Sequence, residues 1–153
     1  MKFKTQTLAI IMAAAFIWPQ ASHAASPQTP EQVVRAMFEA FNTHDVDALV
    51  ALYSDDAVLN GPEYCQPKTG KAAVRDVYSA LFQTIPDVHD TIKTLVVTDD
   101  TVALEFVATG HIEDFAIQLP IAAFLTVKDG LIVSDTAYFD TDAESNCPAA
   151  KAQ

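Results

Sequence analysis

The sequence predicts an α+β fold in which three N-terminal helices pack on a strongly curved, mostly antiparallel sheet. Three observations lead to this class. The first half of the chain carries apolar residues at helical spacing in three segments. From Val88 onward the period changes to the alternation that is typical of strands. The turns at residues 99–100 and 128–130 are short enough for hairpins, so neighbouring strands are expected to be antiparallel. A curved sheet closed by helices leaves a cone, which is where we expect a ligand.

The three predicted helices have clear start and stop signals. The first is expected to begin at Thr29, because Thr29 and Gln32 have the spacing of a capping box. Asp45 is predicted to cap a second, shorter helix. Its apolar stripe consists of Val46, Leu49, Val50 and Tyr53. The third helix opens at Gly70 and is stopped by Pro86.

Five strands are expected after or between these helices. A brief one is predicted at residues 57–60, and longer ones at residues 88–97, 101–109, 117–127 and 131–139. The last of them carries a carboxylate on an otherwise apolar face, because alternation places Asp135 beside Val133, Ala137 and Phe139. Ile132 and its alternate neighbours are expected on the other face. A charge on an apolar face needs a partner, a wet cavity or a shifted pKa, so Asp135 predicts a ligand pocket.

The N-terminus has the pattern of a secretory signal peptide. Lys2 and Lys4 precede an apolar run at residues 8–18 that is too short to span a bilayer, and the run is followed by Ser22-His23-Ala24. We therefore predict a signal peptide at residues 1–24, cleaved after Ala24, and a secreted or periplasmic protein. An uncleaved anchor is the alternative. Residues 25–142 are predicted to form one domain, followed by a C-terminal tail at residues 143–153.

Charge and cysteine content limit the partners and the redox chemistry. The formal net charge is −11, which argues against nucleic acid or an anionic membrane surface as a partner, since both require a basic footprint. The two cysteines, Cys65 and Cys147, are expected to form a disulfide that ties down the tail, because an exported chain enters an oxidising compartment. Free or intermolecular thiols are the alternative. No CxxC pattern occurs in the sequence, which argues against thiol redox catalysis.

Several strings of the chain resemble the SnoaL-like proteins, which share the nuclear transport factor fold with ketosteroid isomerases and limonene epoxide hydrolases. The strings are FNTHDVDALVALYSDDAV, TGKAAVRDVYSALFQTIPDVH and DGLIVSDTAYFD, and the resemblance extends over residues 31–142. It implies the conical fold (SnoaL-like or cystatin-like) and places Asp135 on the pocket side. It implies little about the reaction, because this fold hosts isomerases, cyclases, dehydratases, hydrolases and non-catalytic binders.

The catalytic residues of two of these relatives have no counterpart in this chain. Where the resemblance implies the general base, the oxyanion-binding tyrosine and the protonated aspartate of ketosteroid isomerases, the chain has Gly61, Met37 and Ala123. Where limonene epoxide hydrolases carry an aspartate on the last strand, it has Ala137. We therefore expect neither of these two mechanisms.

The candidate site is centred on Asp135, as a general base or as the acceptor for a ligand hydroxyl. His111 is a candidate partner, because Gly110 before it permits a bulge that would turn the imidazole inward, although strict alternation places it on the surface. His89 is a second candidate, oriented by Asp87 across a pocket mouth, although Asp87 is also explained by a role in the turn after Pro86. Further candidate ligand contacts are Asn60, Tyr64, Phe106, Ile121 and Phe139.

No metal or cofactor is expected. The histidines lack ligand spacing, and no GxSxG, Walker or dinucleotide glycine motif occurs. The sequence therefore predicts a protein that binds a small, largely apolar molecule. The alternative is a cofactor-independent acid–base enzyme of the isomerase, cyclase or dehydratase type that uses Asp135. A third interpretation is a homodimer through the back of the sheet with a vestigial pocket.

Overall fold

The computed structural model of the chain describes residues 28–140. The predicted signal peptide and the tail with Cys147 lie outside these residues, so both remain predictions. Along the chain, two helices are followed by two strands, a third helix and then four further strands. This is the predicted α+β fold, with three helices and a six-stranded sheet.

The helices begin where their capping residues predict. In α1, Pro30–Asn42, the Thr29 hydroxyl accepts from the Gln32 amide at 3.3 Å, and the Gln32 side chain accepts from the Thr29 amide at 2.9 Å. In α2, Val46–Ala51, the Asp45 carboxylate accepts from the Ala48 amide at 2.9 Å. The third helix, α3, is Gly70–Thr84. No helix within residues 28–140 is long and apolar enough to cross a membrane.

The six strands form one sheet in the order β2-β1-β6-β5-β4-β3. Their bounds are β1 Tyr53–Asn60, β2 Lys68–Thr69, β3 His89–Thr98, β4 Thr101–Ile112, β5 Phe115–Lys128 and β6 Leu131–Tyr138. All neighbouring pairs are antiparallel except β1 and β6, which run parallel. The predicted mostly antiparallel sheet is confirmed, and the helices cover one of its faces.

The prediction that Tyr53 belongs to the second helix is wrong. Helix α2 ends at Ala51, and Tyr53 opens β1, where it is paired with Ile132 of β6. The Ile132 amide donates to the Leu52 carbonyl at 2.8 Å, which draws this segment into the sheet. Strand pairing thus overrides the helical spacing of Tyr53, because it is a long-range contact that local periodicity does not register.

A β-bulge in β6 changes the predicted faces of that strand. Thr126 is paired with Ser134 while Val127 is paired with Ile132, so Val133 has no counterpart on β5. The extra residue reverses the alternation, and Ile132 is completely buried in the core instead of lying on the outer face. Beyond the bulge the predicted parity holds.

Gly110 allows the end of β4 to approach the loop that follows α3. A Cβ atom at this position would lie 2.7 Å from Cγ2 of Ile85 and 3.2 Å from Cα of Val88. The β4–β5 pairing continues without a shift through Gly110 and His111. The glycine thus serves close packing, and the predicted bulge that would turn His111 inward does not form.

Candidate functional site

A cavity of about 590 Å³ lies between the helices and the concave face of the sheet. Helices α1 and α3 and strands β1, β3, β4, β5 and β6 contribute side chains, most of them apolar. Its aromatic lining consists of Phe38, Phe41, Tyr64, Tyr78, Phe106 and Phe139. A cavity of this size and composition suits a small apolar molecule that is oriented by a few polar groups.

The most strongly connected polar group in the cavity wall is Asp135. The Tyr53 hydroxyl donates to Oδ2 of Asp135 at 2.7 Å, and the Tyr78 hydroxyl lies 3.0 Å from that of Tyr53 and 3.4 Å from the same carboxylate oxygen. Tyr53 is completely buried, whereas Tyr78 and Asp135 line the cavity. Among the described residues, Oδ1 of Asp135 has no hydrogen-bond partner, and it is not fully buried. This oxygen is therefore available to a ligand.

Burial and hydrogen bonding act in opposite directions on Asp135. Desolvation raises its pKa, and the hydrogen bonds from Tyr53 and Tyr78 partly offset that rise. The pKa values of both tyrosines are raised, first by burial and then by the charge of Asp135, so the phenols stay protonated and remain donors. The three side chains form a polar cluster that can hold a carboxylate inside an apolar wall.

A second aspartate, Asp90 of β3, lines the same cavity, and its side chain has no partner among residues 28–140. Its residue is 9% exposed, and Oδ1 is buried with no hydrogen bond to any part of the chain that the structure describes. Desolvation raises the pKa of Asp90 to about 7. The side chain of Asn42 fixes the backbone of this residue, accepting from its amide at 2.8 Å and donating to its carbonyl at 2.9 Å.

The end of β1 and the loop after it bring further polar groups to the cavity. Asn60, Glu63 and Tyr64 all line it. Burial, and then the neighbouring Glu63 carboxylate, raise the pKa of Tyr64, which therefore remains a hydroxyl donor. Lys68 lies 5.7 Å from the centroid of the Tyr64 ring.

The structure places the predicted ligand contacts in one cavity. Its lining includes Asp135, Ala137 and Phe139, as the parity of β6 predicts, but not Val133, the fourth residue expected on that face, which lies at the bulge. It also includes the other predicted contacts, Asn60, Tyr64, Phe106 and Ile121. These positions are consistent with ligand binding, and the roles of the residues remain predictions.

The two histidines predicted as catalytic partners of Asp135 are not among the side chains that line the cavity. His111 is exposed, and its Nδ1 lies 2.6 Å from Oδ2 of Asp87, whose other oxygen accepts from the His111 amide at 2.9 Å. These hydrogen bonds lower the pKa of Asp87. Asp87 thus pairs with His111 rather than with His89, which is exposed on β3 next to Thr109. The structure does not bring either histidine to Asp135.

Sequence reasoning does not select Tyr78 or Asp90 as site residues, and it gives Tyr53 only as a possible hydroxyl donor that is more often a core residue. Tyr53 and Tyr78 lie on helical stripes that indicate core residues, and nothing local indicates that their hydroxyls meet one carboxylate. Asp90 carries a usable signal. Alternation puts it on the same face as Val88 and Ile92, so the argument that singles out Asp135 applies equally to Asp90. Within residues 28–140, no three His, Cys, Asp or Glu side chains are grouped so as to hold a metal ion.

The chain has the ketosteroid isomerase-like fold. A protein with this fold from Catenulispora acidiphila DSM 44928, solved in complex with trimethylamine, is 28% identical, and the match covers 80% of this chain and 97% of that one with a TM-score of 0.68. A loop-truncation variant of IdmH is 26% identical over 73% of this chain and 93% of that chain, with a TM-score of 0.66. Wild-type IdmH, from Streptomyces antibioticus, is described as a proposed polyketide cyclase. It is 24% identical over 74% and 93% of the two chains, with a TM-score of 0.67.

The family model for SnoaL-like domains matches residues 34–135, which is most of the described chain. The chain therefore belongs to the SnoaL-like domain family, as its sequence strings predict.

Proposed function

We propose that this protein is a cofactor-independent proton-transfer enzyme that acts on a small, largely apolar molecule. The observation that carries the proposal is the Asp135 carboxylate, which is held at Oδ2 by Tyr53 while Oδ1 remains accessible in the cavity wall. A carboxylate in an apolar site is a stronger base than one in water, because desolvation raises its pKa. Its hydrogen bonds keep it oriented.

In the proposed reaction, Oδ1 of Asp135 removes a proton from a carbon next to a carbonyl group of the bound molecule. The electron pair moves onto the carbonyl oxygen, and Tyr64 or Asn60 donates a hydrogen bond to this oxyanion. The proton then returns from Asp135 to another atom of the same molecule. The reaction therefore needs no oxidant, reductant or added cofactor, and isomerisation, cyclisation and dehydration all start from this step.

The proposal is tested by hydrogen exchange. An enzyme that removes a proton next to a carbonyl is expected to accelerate the exchange of the acidic C–H of a bound apolar ketone, such as 2-tetralone, in D₂O, as followed by NMR. Asp135→Asn keeps the shape of the side chain and removes the base, so the acceleration should be lost. Asp99→Asn is the matched control, because it removes the same charge at a turn that does not line the cavity. Binding of the ketone without accelerated exchange would leave a binding protein and reject the catalytic proposal.

We further propose that the outer face of the sheet forms a homodimer. Phe124 and Tyr138 are 51% and 58% exposed, and their rings contact each other edge to face with 6.2 Å between centroids. Large exposed aromatic residues on a strand face favour association. Sedimentation of the wild type and of Phe124→Ser tests this: a monomeric wild type would reject it.

A further inference from the structure

We propose that the cavity selects molecules whose apolar body carries a protonated amine, and that Asp90 is the residue that holds the ammonium group. This inference rests on the proposed function in one respect, namely that the ligand occupies the cavity of Asp135. It adds the chemical class of the ligand and a second anchoring residue.

The charged side chains of the cavity wall are all acidic. Glu63, Asp90 and Asp135 line it, and no lysine, arginine or histidine does so in the part of the chain that the structure describes. The protein as a whole carries a formal charge of −11, so the field at the cavity favours the approach of cations and opposes that of carboxylates. An anionic ligand would meet three carboxyl groups with no counter-charge.

Asp90 is the group with most to gain from a cation. Asp135 already accepts hydrogen bonds from Tyr53 and Tyr78, whereas the Asp90 carboxyl has none within the described residues. A buried carboxylate without a partner is costly, and an ammonium group supplies both the charge and the N–H donors that it lacks. The missing partner is therefore a donor, and the strongest donor is a cationic one.

The position of Asp90 does not depend on its side chain. Both backbone groups of Asp90 are bound by the amide of Asn42, at 2.8 and 2.9 Å. The carboxyl group is thus held at the cavity wall by backbone contacts, and neither of its oxygens is bound by another residue in the part of the chain that the structure describes. A ligand can therefore bind the carboxyl group without breaking the contacts that position the strand.

The aromatic wall also suits a cation. Phe38 meets Phe106 edge to face with 5.1 Å between ring centroids, and Phe41 meets Tyr78 in the same way at 5.9 Å. All four rings line the cavity. A cation near a ring face is attracted by the negative potential of that face, and the attraction is larger where water is excluded. The same rings accommodate the apolar body of the ligand.

The test compares three ligands that share one apolar body: 4-phenylbutylamine, 4-phenylbutan-1-ol and 4-phenylbutanoate. Calorimetric titration of the wild type at pH 8 is expected to give an affinity for the amine that is roughly tenfold or more above that for the alcohol, with the carboxylate weakest. The amine affinity is expected to fall by roughly tenfold between pH 8 and pH 6, as Asp90 becomes protonated. The other titratable groups of the cavity are Glu63, Tyr64, Tyr78 and Asp135.

Asp90→Asn is expected to reduce the amine affinity to that of the alcohol and to abolish most of the pH dependence, while the affinity for the alcohol is retained. Asp99→Asn, with the same change of charge at the β3–β4 turn, should behave like the wild type. A second measurement uses only the wild type, so it tests the inference even if Asp90→Asn does not fold. Amine binding at pH 7 should release protons, seen as an enthalpy that depends on the buffer.

Two outcomes would overturn the inference and are distinct from failure of the proposed function. If the alcohol binds as tightly as the amine at pH 8, or if Asp90→Asn leaves the amine affinity unchanged, the cavity does not select amines through Asp90. The proposed proton-transfer function would still stand. If none of the three ligands binds to the wild type, both the amine selectivity and a cavity for small apolar ligands are rejected.

Discussion

The hydroxyl of Tyr53 lies 2.7 Å from Oδ2 of Asp135, although 82 positions separate the two residues in the sequence. The contact is made by the parallel pairing of β1 and β6, which places Tyr53 beside Ile132 at the start of β6, three residues before Asp135. The base of the proposed reaction is therefore oriented by a residue that is distant in the sequence and lies on the neighbouring strand.

Tyr53→Phe tests this contact. Removing the hydroxyl leaves Asp135 without its shortest hydrogen bond, so we expect a loss of about 1 to 3 kcal/mol in the free energy of unfolding. The hydrogen bond lowers the pKa of Asp135 and thus favours the charged form. The loss of unfolding free energy in Tyr53→Phe should therefore be larger at pH 8, where the charged form of Asp135 is favoured, than at pH 5. Urea denaturation at the two pH values measures it. Tyr138→Phe, on the outer face, is the matched control, and equal losses in the two variants would contradict the assignment.

Asp90 is expected to make the protein less stable as pH rises. Its pKa in the folded state, about 7, lies above the ordinary value of 3.8, so the folded state retains the proton longer than the unfolded state does. The wild type should therefore lose stability relative to Asp90→Asn from about pH 4 up to about pH 7, and no further above that. Between pH 5 and pH 8 the expected change in this difference is roughly 2 to 3 kcal/mol. A difference that does not vary with pH would show that Asp90 is not desolvated.

The two histidines provide a negative prediction. His111→Gln and His89→Gln are expected to leave ketone exchange and ligand affinity at wild-type values, because neither side chain lines the cavity. Loss of the His111 side chain should instead raise the pKa of Asp87 toward its ordinary value, which NMR titration of the carboxyl carbon can follow. If either variant strongly slows the exchange of the ketone C–H, that histidine takes part in catalysis and the prediction is wrong.

Gly110→Ala is expected to destabilise the fold by about 1 to 3 kcal/mol, because the added methyl group would lie 2.7 Å from Cγ2 of Ile85. Gly130→Ala separates crowding from backbone strain. Gly130 has a φ of +77°, and an added Cβ would meet no atom within 4 Å, so the cost of this change comes from conformation alone, about 1 kcal/mol. Thermal denaturation of the two variants should rank Gly110→Ala as the more damaging. If Gly130→Ala is the more damaging change, the loop between α3 and β3 can shift to accommodate a methyl group at position 110.

The predicted processing is tested by intact mass. Expression of the whole chain with export should give a protein that begins at Ala25, whose mass rises by two hydrogen atoms when the Cys65–Cys147 disulfide is reduced. A product that retains residues 1–24 would reject the signal peptide. An unchanged mass after reduction would reject the disulfide.

The features that periodicity encodes could be predicted from the sequence. Three local signals predict the helices and the four long strands, and each acts over a few residues. They are the capping box at Thr29, the end of the third helix before Pro86 and the change of period at Val88. The family strings supply the remaining step to the conical fold. The predicted face of Asp135 is correct because the bulge at Val133 precedes it.

The rest depends on contacts between distant segments. Tyr53 fits a helical stripe, and only its pairing with Ile132 makes it a strand residue. Asp87 pairs with His111 rather than with His89 because the end of β4 approaches the loop after α3. The local sequence does not show this approach. The environment of Asp90 is likewise a property of the assembled cavity: alternation indicates its face, but only the structure shows that nothing within the described residues pairs with its carboxyl group.

The two hydrogen bonds between Asn42 and the backbone of residue 90 also bear on how such a cavity can be altered. Asn42 binds only main-chain atoms, so these two hydrogen bonds can form with any residue other than proline at position 90. The acid can therefore be replaced by another side chain that fits the cavity wall, which would redirect the cavity toward other ligands while this connection between α1 and β3 is kept.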